Sequence, residues 1–141
     1  MVTPVKPRRS GCPISFGLEI FGDRWTLLVL RDLLLKGRRT FRDLAAGGEG
    51  IATNILTDRL KRLEAAGLIA RAPVPGDRRR VQYLATPAGQ ALVPVLVELA
   101  YWGASHDPAT AAPAEFRARY EADRDGLVRA LAGGGGPEYG S

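Results

Sequence analysis

The sequence predicts a mainly α fold carrying one small β-hairpin (α+β), and three stretches carry that prediction. In residues 50–71, GIATNILTDRLKRLEAAGLIAR, Leu56, Leu60 and Leu63 recur at i, i+4 and i+7 and define one face of a helix. Asn54, Asp58 and Lys61 point away from that stripe, with Thr57 and Arg62 on its flanks. Just upstream, Thr40 followed by FRDLAA reads as a short capped helix, joined to the leucine-striped helix by the turn GGEG. Downstream, residues 68–72 and 81–85 read as strands, and PVPGDRRR between them as a Pro-Gly-Asp turn followed by three arginines. A helix-turn-helix followed by such a hairpin is a winged helix.

A chain of 141 residues is one ordinary domain, long enough to bury a core without staples. Its formal charge of +5 is unevenly placed. Residues 1–80 hold 16 Lys/Arg against 8 Asp/Glu, whereas residues 81–141 hold 4 against 7. A basic front part favours an anionic partner, and nucleic acid is expected before membrane. No apolar run approaches the roughly 18 residues of a membrane span. The basic start MVTPVKPRRSGCP lacks the apolar stretch of a signal peptide. One cysteine supports neither a disulfide framework nor a metal cluster. A cytoplasmic protein without cofactor is expected.

Taken in order, residues 1–11 read as a flexible basic arm. A short helix runs from Pro13 to about Phe21, with Cys12 as its N-cap, and Gly22-Asp23 break and recap the chain. Residues 25–35, WTLLVLRDLLL, are apolar on most sides and read as the central buried helix, with Arg31 and Asp32 marking its wet edge. KGRR is a turn; Phe41 and Leu44 face inward from the helix that Thr40 caps. Gly67 is placed to end the leucine-striped helix in a left-handed conformation. Thr86-Pro87 opens a helix reaching about Ser105, in which Pro94 sits far enough inside to kink it or make its start irregular. DPATAAP is a linker, and a last amphipathic helix over 114–131 presents Phe116, Tyr120, Leu127 and Leu131 on one side. The organisation expected is an arm (1–11), a main domain (12–107), a linker with C-terminal helix (108–131) and a disordered tail (132–141).

The ordered set CPISFGLEIFGDRWTLLVLRDLL, TFRDL, NILTDRLKRLEAAGLIAR and VQYLATPAGQAL resembles the HxlR-type winged helix-turn-helix regulators, relatives of the MarR group. The likeness runs from Cys12 to about His106, some two thirds of the chain; each fragment alone is unspecific and the ordered set is specific. The resemblance implies a homodimeric bacterial transcription factor, dimerising through its terminal helices, with each recognition helix in a major groove of a pseudo-palindromic operator. Repression is the expected direction of regulation. Two departures stand out: the wing carries RRR after PGD, richer in arginine than the family norm, and Arg24 stands where the family more often has lysine.

Thr53, Asn54, Thr57 and Lys61 are the candidate base-edge readers, being short or flexible polar groups on the outer face. Arg62 is assigned to a phosphate, as are Arg38, Arg39, Thr40 and Arg42 around the preceding helix. Arg78, Arg79 and Arg80 are the wing contacts; adjacent like charges on a hairpin repel one another unless an anion lies alongside. For each, the competing reading is a solvated face. Arg59, beside the leucine stripe, is suited to an intramolecular ion pair or a phosphate.

Cys12 has two readings. A thiol at a helix N-cap, with Arg8 and Arg9 nearby in sequence, favours the thiolate, and the resemblance implies a position at which some family members sense oxidants, quinones or aldehydes. The other reading is a small, buried, inert side chain. Trp25, Tyr101 and Trp102 are either core or the lining of a small-molecule effector pocket, with core favoured. His106, near a helix end, is expected to face solvent without a partner. A winged helix used for protein–protein contact is the alternative function, though such a module has no need of three bare wing arginines. An enzyme is not expected, since the chain offers no nucleophile–base pair, phosphate loop or metal cluster; Cys12 alone would at most make a thiol peroxidase centre.

Overall fold

The computed structural model describes residues 2–3 and 7–133. The chain runs α1 (Pro13–Phe21), α2 (Thr26–Leu35), α3 (Phe41–Ala45), α4 (Thr53–Ala65), β1 (Ile69–Val74), β2 (Asp77–Ala85), α5 (Pro87–Gln90), α6 (Val93–His106) and α7 (Ala114–Ala132). The winged helix-turn-helix arrangement read from the sequence is present, with β1 and β2 antiparallel.

Helix α2 is the hub because it is apolar around most of its circumference. Val29, Leu30 and Leu33 meet Leu44 of α3, Leu56, Leu60 and Leu63 of α4, and Leu68 and Ile69 beyond it. The leucine stripe of α4 is wholly buried, each side chain contributing roughly 1.5–3 kcal/mol. On another side of α2, Leu34 and Leu35 pack against a second cluster formed by Val93 and Val97 of α6 with Phe116, Leu127 and Leu131 of α7.

Asp23 starts α2. Its Oδ1 accepts from the amides of Trp25 (2.8 Å) and Thr26 (3.1 Å) and from Arg59 Nε of α4 (3.0 Å), and its Oδ2 from Thr26 Oγ1 (2.5 Å). Burial alone would raise its pKa, but the hydrogen bonds from Thr26, Arg59 and the two amides outweigh it and hold the carboxyl at about 2, against 3.8 normally. A depressed folded-state pKa stabilises above about pH 4, and that stabilisation is lost as the pH falls toward 2. Asp23→Asn is therefore expected to remove about 1 kcal/mol of acid-sensitive stability, a modest figure because water partly screens the site. Denaturant titrations of both proteins across that range read it; parallel pH profiles would refute it.

Gly67 (φ 82°) ends α4 in the left-handed region, and Gly76 (φ 83°) completes the two-residue turn between β1 and β2 after Pro75. The strands are longer than the sequence suggested, because the ladder continues past a bulge at Pro73/Val74 to pair Val74 with Asp77. Arg78, Arg79 and Arg80 consequently lie within β2 and not in a loop at its tip. The shifted register leaves them without partners on β1, as an exposed bulge opposite the Pro73–Val74 step and next to the turn.

The expected helix from Pro87 to Ser105 is two helices. Thr86 Oγ1 caps α5 by accepting from Gly89 N–H (3.2 Å) while donating to Gly67 O (2.7 Å). The chain then breaks at Ala91-Leu92, and Pro94 falls in the first turn of α6, where its missing N–H leaves no bond unmade. Helix α7 is interrupted at Asp123 (φ −159°, ψ 82°), whose Oδ1 accepts from Gly126 N–H (2.9 Å) and so caps its second half.

The structure differs from four further expectations. Arg31 and Asp32 are no wet edge: Asp32 is 5% exposed and held by Arg31 and Arg38, each at 2.9 Å. His106 is partnered, stacking on Trp102 with Nδ1 2.8 Å from Trp102 O. The arm is not wholly free: Val2 packs on the main core and Thr3 N–H donates to Ala66 O (3.2 Å). Ala132 still belongs to α7 rather than to a tail, and the remaining tail, 134–141, lies outside the described residues. No described helix is long and apolar enough to cross a membrane.

Candidate nucleic-acid interface

Helix α4 presents Thr53, Asn54, Thr57, Asp58 and Lys61 as an exposed row opposite its buried leucines. Its N-cap, Ala52, has no side chain to accept from the first-turn amides. Those amides and the positive end of the helix dipole stay open to an anion. Thr57 Oγ1 donates back to Thr53 O (2.9 Å), which leaves its lone pairs and methyl group facing outward. Asp58 puts a negative charge on the same face, and Arg59 (2.5 Å) and Arg62 (3.8 Å) offset it.

Ion pairing divides the cations of this surface into two sets. Arg38 is tied to Asp32 Oδ1 (2.9 Å) and Gly47 O (3.4 Å), Arg59 to Asp23 and Asp58, Arg62 to Asp58, and Arg71 to Glu64 (3.0 Å). For Arg59 this is the intramolecular one of its two readings, and its hydrogen bond to Asp23 is the first among several causes that raise its pKa. Arg39, Arg42, Lys61, Arg78, Arg79 and Arg80 have no ion-pair partner among the described residues. All six are exposed. The structure thus leaves Arg39, Arg42, Lys61 and the wing arginines as bare cations among the described residues, while Arg38 works inward as a strut. Thr40 also works inward: its Oγ1 accepts from Asp43 N–H (3.2 Å) to cap α3.

The wing is anchored to the helix-turn-helix at this cap. Tyr83 N–H donates to Arg39 O (2.7 Å), and Thr40 bridges Gln82. Sequence reasoning missed two residues of the resulting surface, Tyr83 and Arg71, which with Thr57 and Lys61 line a shallow cleft of about 110 Å³ between α4 and the wing. Strand alternation puts them side by side in register, a signal present in the sequence once the strand boundaries are known.

Cys12 is the N-cap of α1 and is exposed rather than buried. The two arginines expected to flank it are engaged elsewhere: Arg8 lies over the Phe16 ring (5.3 Å) and Arg9 pairs with Glu19 (3.2 Å). The aromatic residues expected in the core divide. Tyr101 stacks on Tyr120 at 3.7 Å, whereas Trp102 is 63% exposed. Trp102 with Leu99 on α6, and Ile14 with Leu18 on α1, form two bare apolar stripes. Among the described residues, no group of acidic, histidine and cysteine side chains is arranged to hold a metal ion.

The model of the HxlR-like helix-turn-helix family matches residues 20–111. The uncharacterized HTH-type transcriptional regulator Rv3095 of Mycobacterium tuberculosis is 37% identical over 112 residues, covering 79% of this chain and 70% of the relative. Among solved structures, the redox regulator HypR in its oxidized form is 27% identical with a TM-score of 0.59, over 70% of this chain and all of that one. The quinone-bound YodB of Bacillus subtilis is 27% identical with a TM-score of 0.55, over 67% of this chain and 98% of that one.

Proposed function

The chain belongs to the HxlR-like helix-turn-helix family, and from that premise we propose that it is a cytoplasmic, homodimeric repressor that reads a pseudo-palindromic operator. Transcriptional regulators of this type bind DNA and are not enzymes. The observation that carries the reading is the partition of charge: among the described residues, six cations of α4, the α3 region and the wing have no ion-pair partner, while their neighbours are held in ion pairs. Asn54, Thr57 and Lys61 meet base edges, with Thr53 at the open N-terminus of α4. Arg39, Arg42 and the wing arginines meet phosphates, and Arg62 joins them by exchanging its 3.8 Å pair with Asp58; Arg38 and Thr40 hold the scaffold behind them. The two apolar stripes, on α1 and α6, support pairing of two copies through the terminal helices.

The test is a labelled upstream fragment from the protein's own locus. Binding is expected with two chains per fragment and a steep salt dependence. Lys61→Ala is expected to cost about 1–3 kcal/mol and relax base preference, as loss of a base contact does. Wild-type affinity in that variant, or salt-insensitive binding, would sink the reading. The protein-module alternative requires a stoichiometric protein partner and no DNA.

Oxidant or electrophile sensing through Cys12 is a second part of the proposal. It rests on the exposure of the thiol at an N-cap and on the redox and quinone-bound states of the similar regulators. With one cysteine per chain, oxidation yields a sulfenic acid or an inter-subunit or mixed disulfide. Mild peroxide is expected to weaken operator binding reversibly, with thiol reductant restoring it. An unchanged peroxide response in Cys12→Ser assigns the effect elsewhere.

A further inference from the structure

A cavity of about 480 Å³ opens between α2, α6 and the connector leading to α7, within the size range of small-molecule sites. Its walls are apolar, with Leu27 and Leu28 on one side and Leu96 and Leu99 on the other. Connector residues 110–112 form its roof. The roof is held down by α7, whose Phe116, Leu127 and Leu131 are buried against α6 and α2, and α7 lies beyond the residues the family model matches.

One end of the cavity is charged, and its charges are unequally satisfied. Glu49 is held by Arg31 Nη1 (2.9 Å) and Arg24 (3.7 Å). Asp107 accepts from Ala109 N–H (2.9 Å). Lys36, at the C-terminal end of α2, is half-buried and has no ion pair or hydrogen bond among the described residues. Burial first, then the neighbouring Arg31 and Arg38, lower its pKa against the opposing pull of Asp32 and Glu49.

We propose that this cavity receives an amphipathic monoanion, whose carboxylate meets Lys36 beside Arg31 while its apolar body lies against the leucines of α2 and α6. Binding has a route to the DNA-reading helix. Glu49 sits in the turn between α3 and α4, and its ion pair with Arg31 fastens that turn to α2. An incoming carboxylate competes with Glu49 for Arg31 and releases the turn, which lowers DNA affinity. This coupling, unlike the binding itself, rests on the DNA-binding reading above.

The probe is 4-phenylbutyrate, titrated by calorimetry into the full chain beside its uncharged analogue 4-phenylbutyramide. The acid is expected to bind at least tenfold more tightly than the amide. Lys36→Met and Lys36→Gln should each abolish that preference with an unchanged thermal melt. Glu49→Gln should bind the acid several-fold more tightly, because the competitor for Arg31 is gone. Saturating acid should weaken operator binding at least fivefold. Equal affinity for acid and amide, a preference that survives both Lys36 variants, or no binding because a second copy's α1 fills the cavity, each overturns the site. Tight acid binding that leaves operator affinity unchanged overturns the coupling. Should the chain bind no DNA at all, the calorimetric result still decides the cavity.

Discussion

Replacing Arg78, Arg79 and Arg80 together by alanine is expected to reduce the log–log salt slope of operator binding by two to three units. Each cation on a phosphate of duplex DNA releases condensed counterions and contributes about 0.9 to that slope, so three contacts contribute about 2.7. Near physiological salt the same term amounts to roughly a hundredfold in affinity. The side chains of the wing arginines have no ion-pair partner among the described residues, so alanine costs the fold nothing that an anion was not already meant to supply. Base preference should survive, because phosphate contacts position the protein without reading sequence. Single variants will divide the slope among the three arginines. Each of the three is exposed in the bulge opposite the Pro73–Val74 step, so each is expected to remove about 0.9 of the slope. An unchanged slope in the triple variant would mean that the wing does not touch DNA.

The main architecture was legible because it depends on local signals. The i, i+4, i+7 leucines of α4, Thr40 at the head of α3, the Pro-Gly turn of the wing and Gly67 at the end of α4 each act within a few residues of where they stand. What escaped was set by partners distant in sequence. Asp32 looked like a wet edge because an isolated Arg-Asp pair in an apolar helix has no other reading; its burial comes from Arg38 and the Gly47 turn folding over it. His106 looked unpartnered because its stacking with Trp102 depends on α6 staying helical to its last turn. The same limit applies to the interface. Composition marks the cations, but which are bare depends on where Asp23, Asp32, Asp58 and Glu64 fall in space, and so Arg38 could not be separated from Arg39 by sequence alone. The expectation that Trp102 is core failed for a different reason: a largely apolar helix can bury one side in its own chain and leave another bare.

Asp32→Ala is expected to be the most damaging single substitution to the fold. The carboxylate is 5% exposed and bonds Arg31 Nε (3.0 Å) and Arg38 Nη1 (2.9 Å), and the Gly47 backbone lies so close that a Cβ there would come within 2.5 Å of Asp32 Oδ2. Removing it leaves two guanidinium groups facing each other across the place where their shared anion stood, Arg31 with its side chain 14% exposed. Breaking a buried pair in this way costs about 3–5 kcal/mol; because Arg31 keeps Glu49 and Arg38 can turn toward water, about 2–4 kcal/mol is expected here. For a chain of this size that is a fall in melting temperature on the order of 10 °C. Asp32→Asn keeps the shape and one acceptor but not the charge, so it should fall between wild type and alanine. The Asp32→Ala/Arg38→Ala double variant should lose less than the sum of its singles, because the second change relieves a repulsion that the first created. A loss below about 1 kcal/mol in Asp32→Ala, or strict additivity with Arg38→Ala, would refute the network as a fastener. Function should decline with stability, and for a structural reason: Arg38 reaches Gly47 O and Arg31 reaches Glu49, so Asp32 is the point from which the turn between α3 and α4 is held to the hub helix. When that anchor is gone the recognition helix keeps its leucines in the core but loses its fixed approach angle, so operator affinity should fall even at temperatures where the variant remains folded.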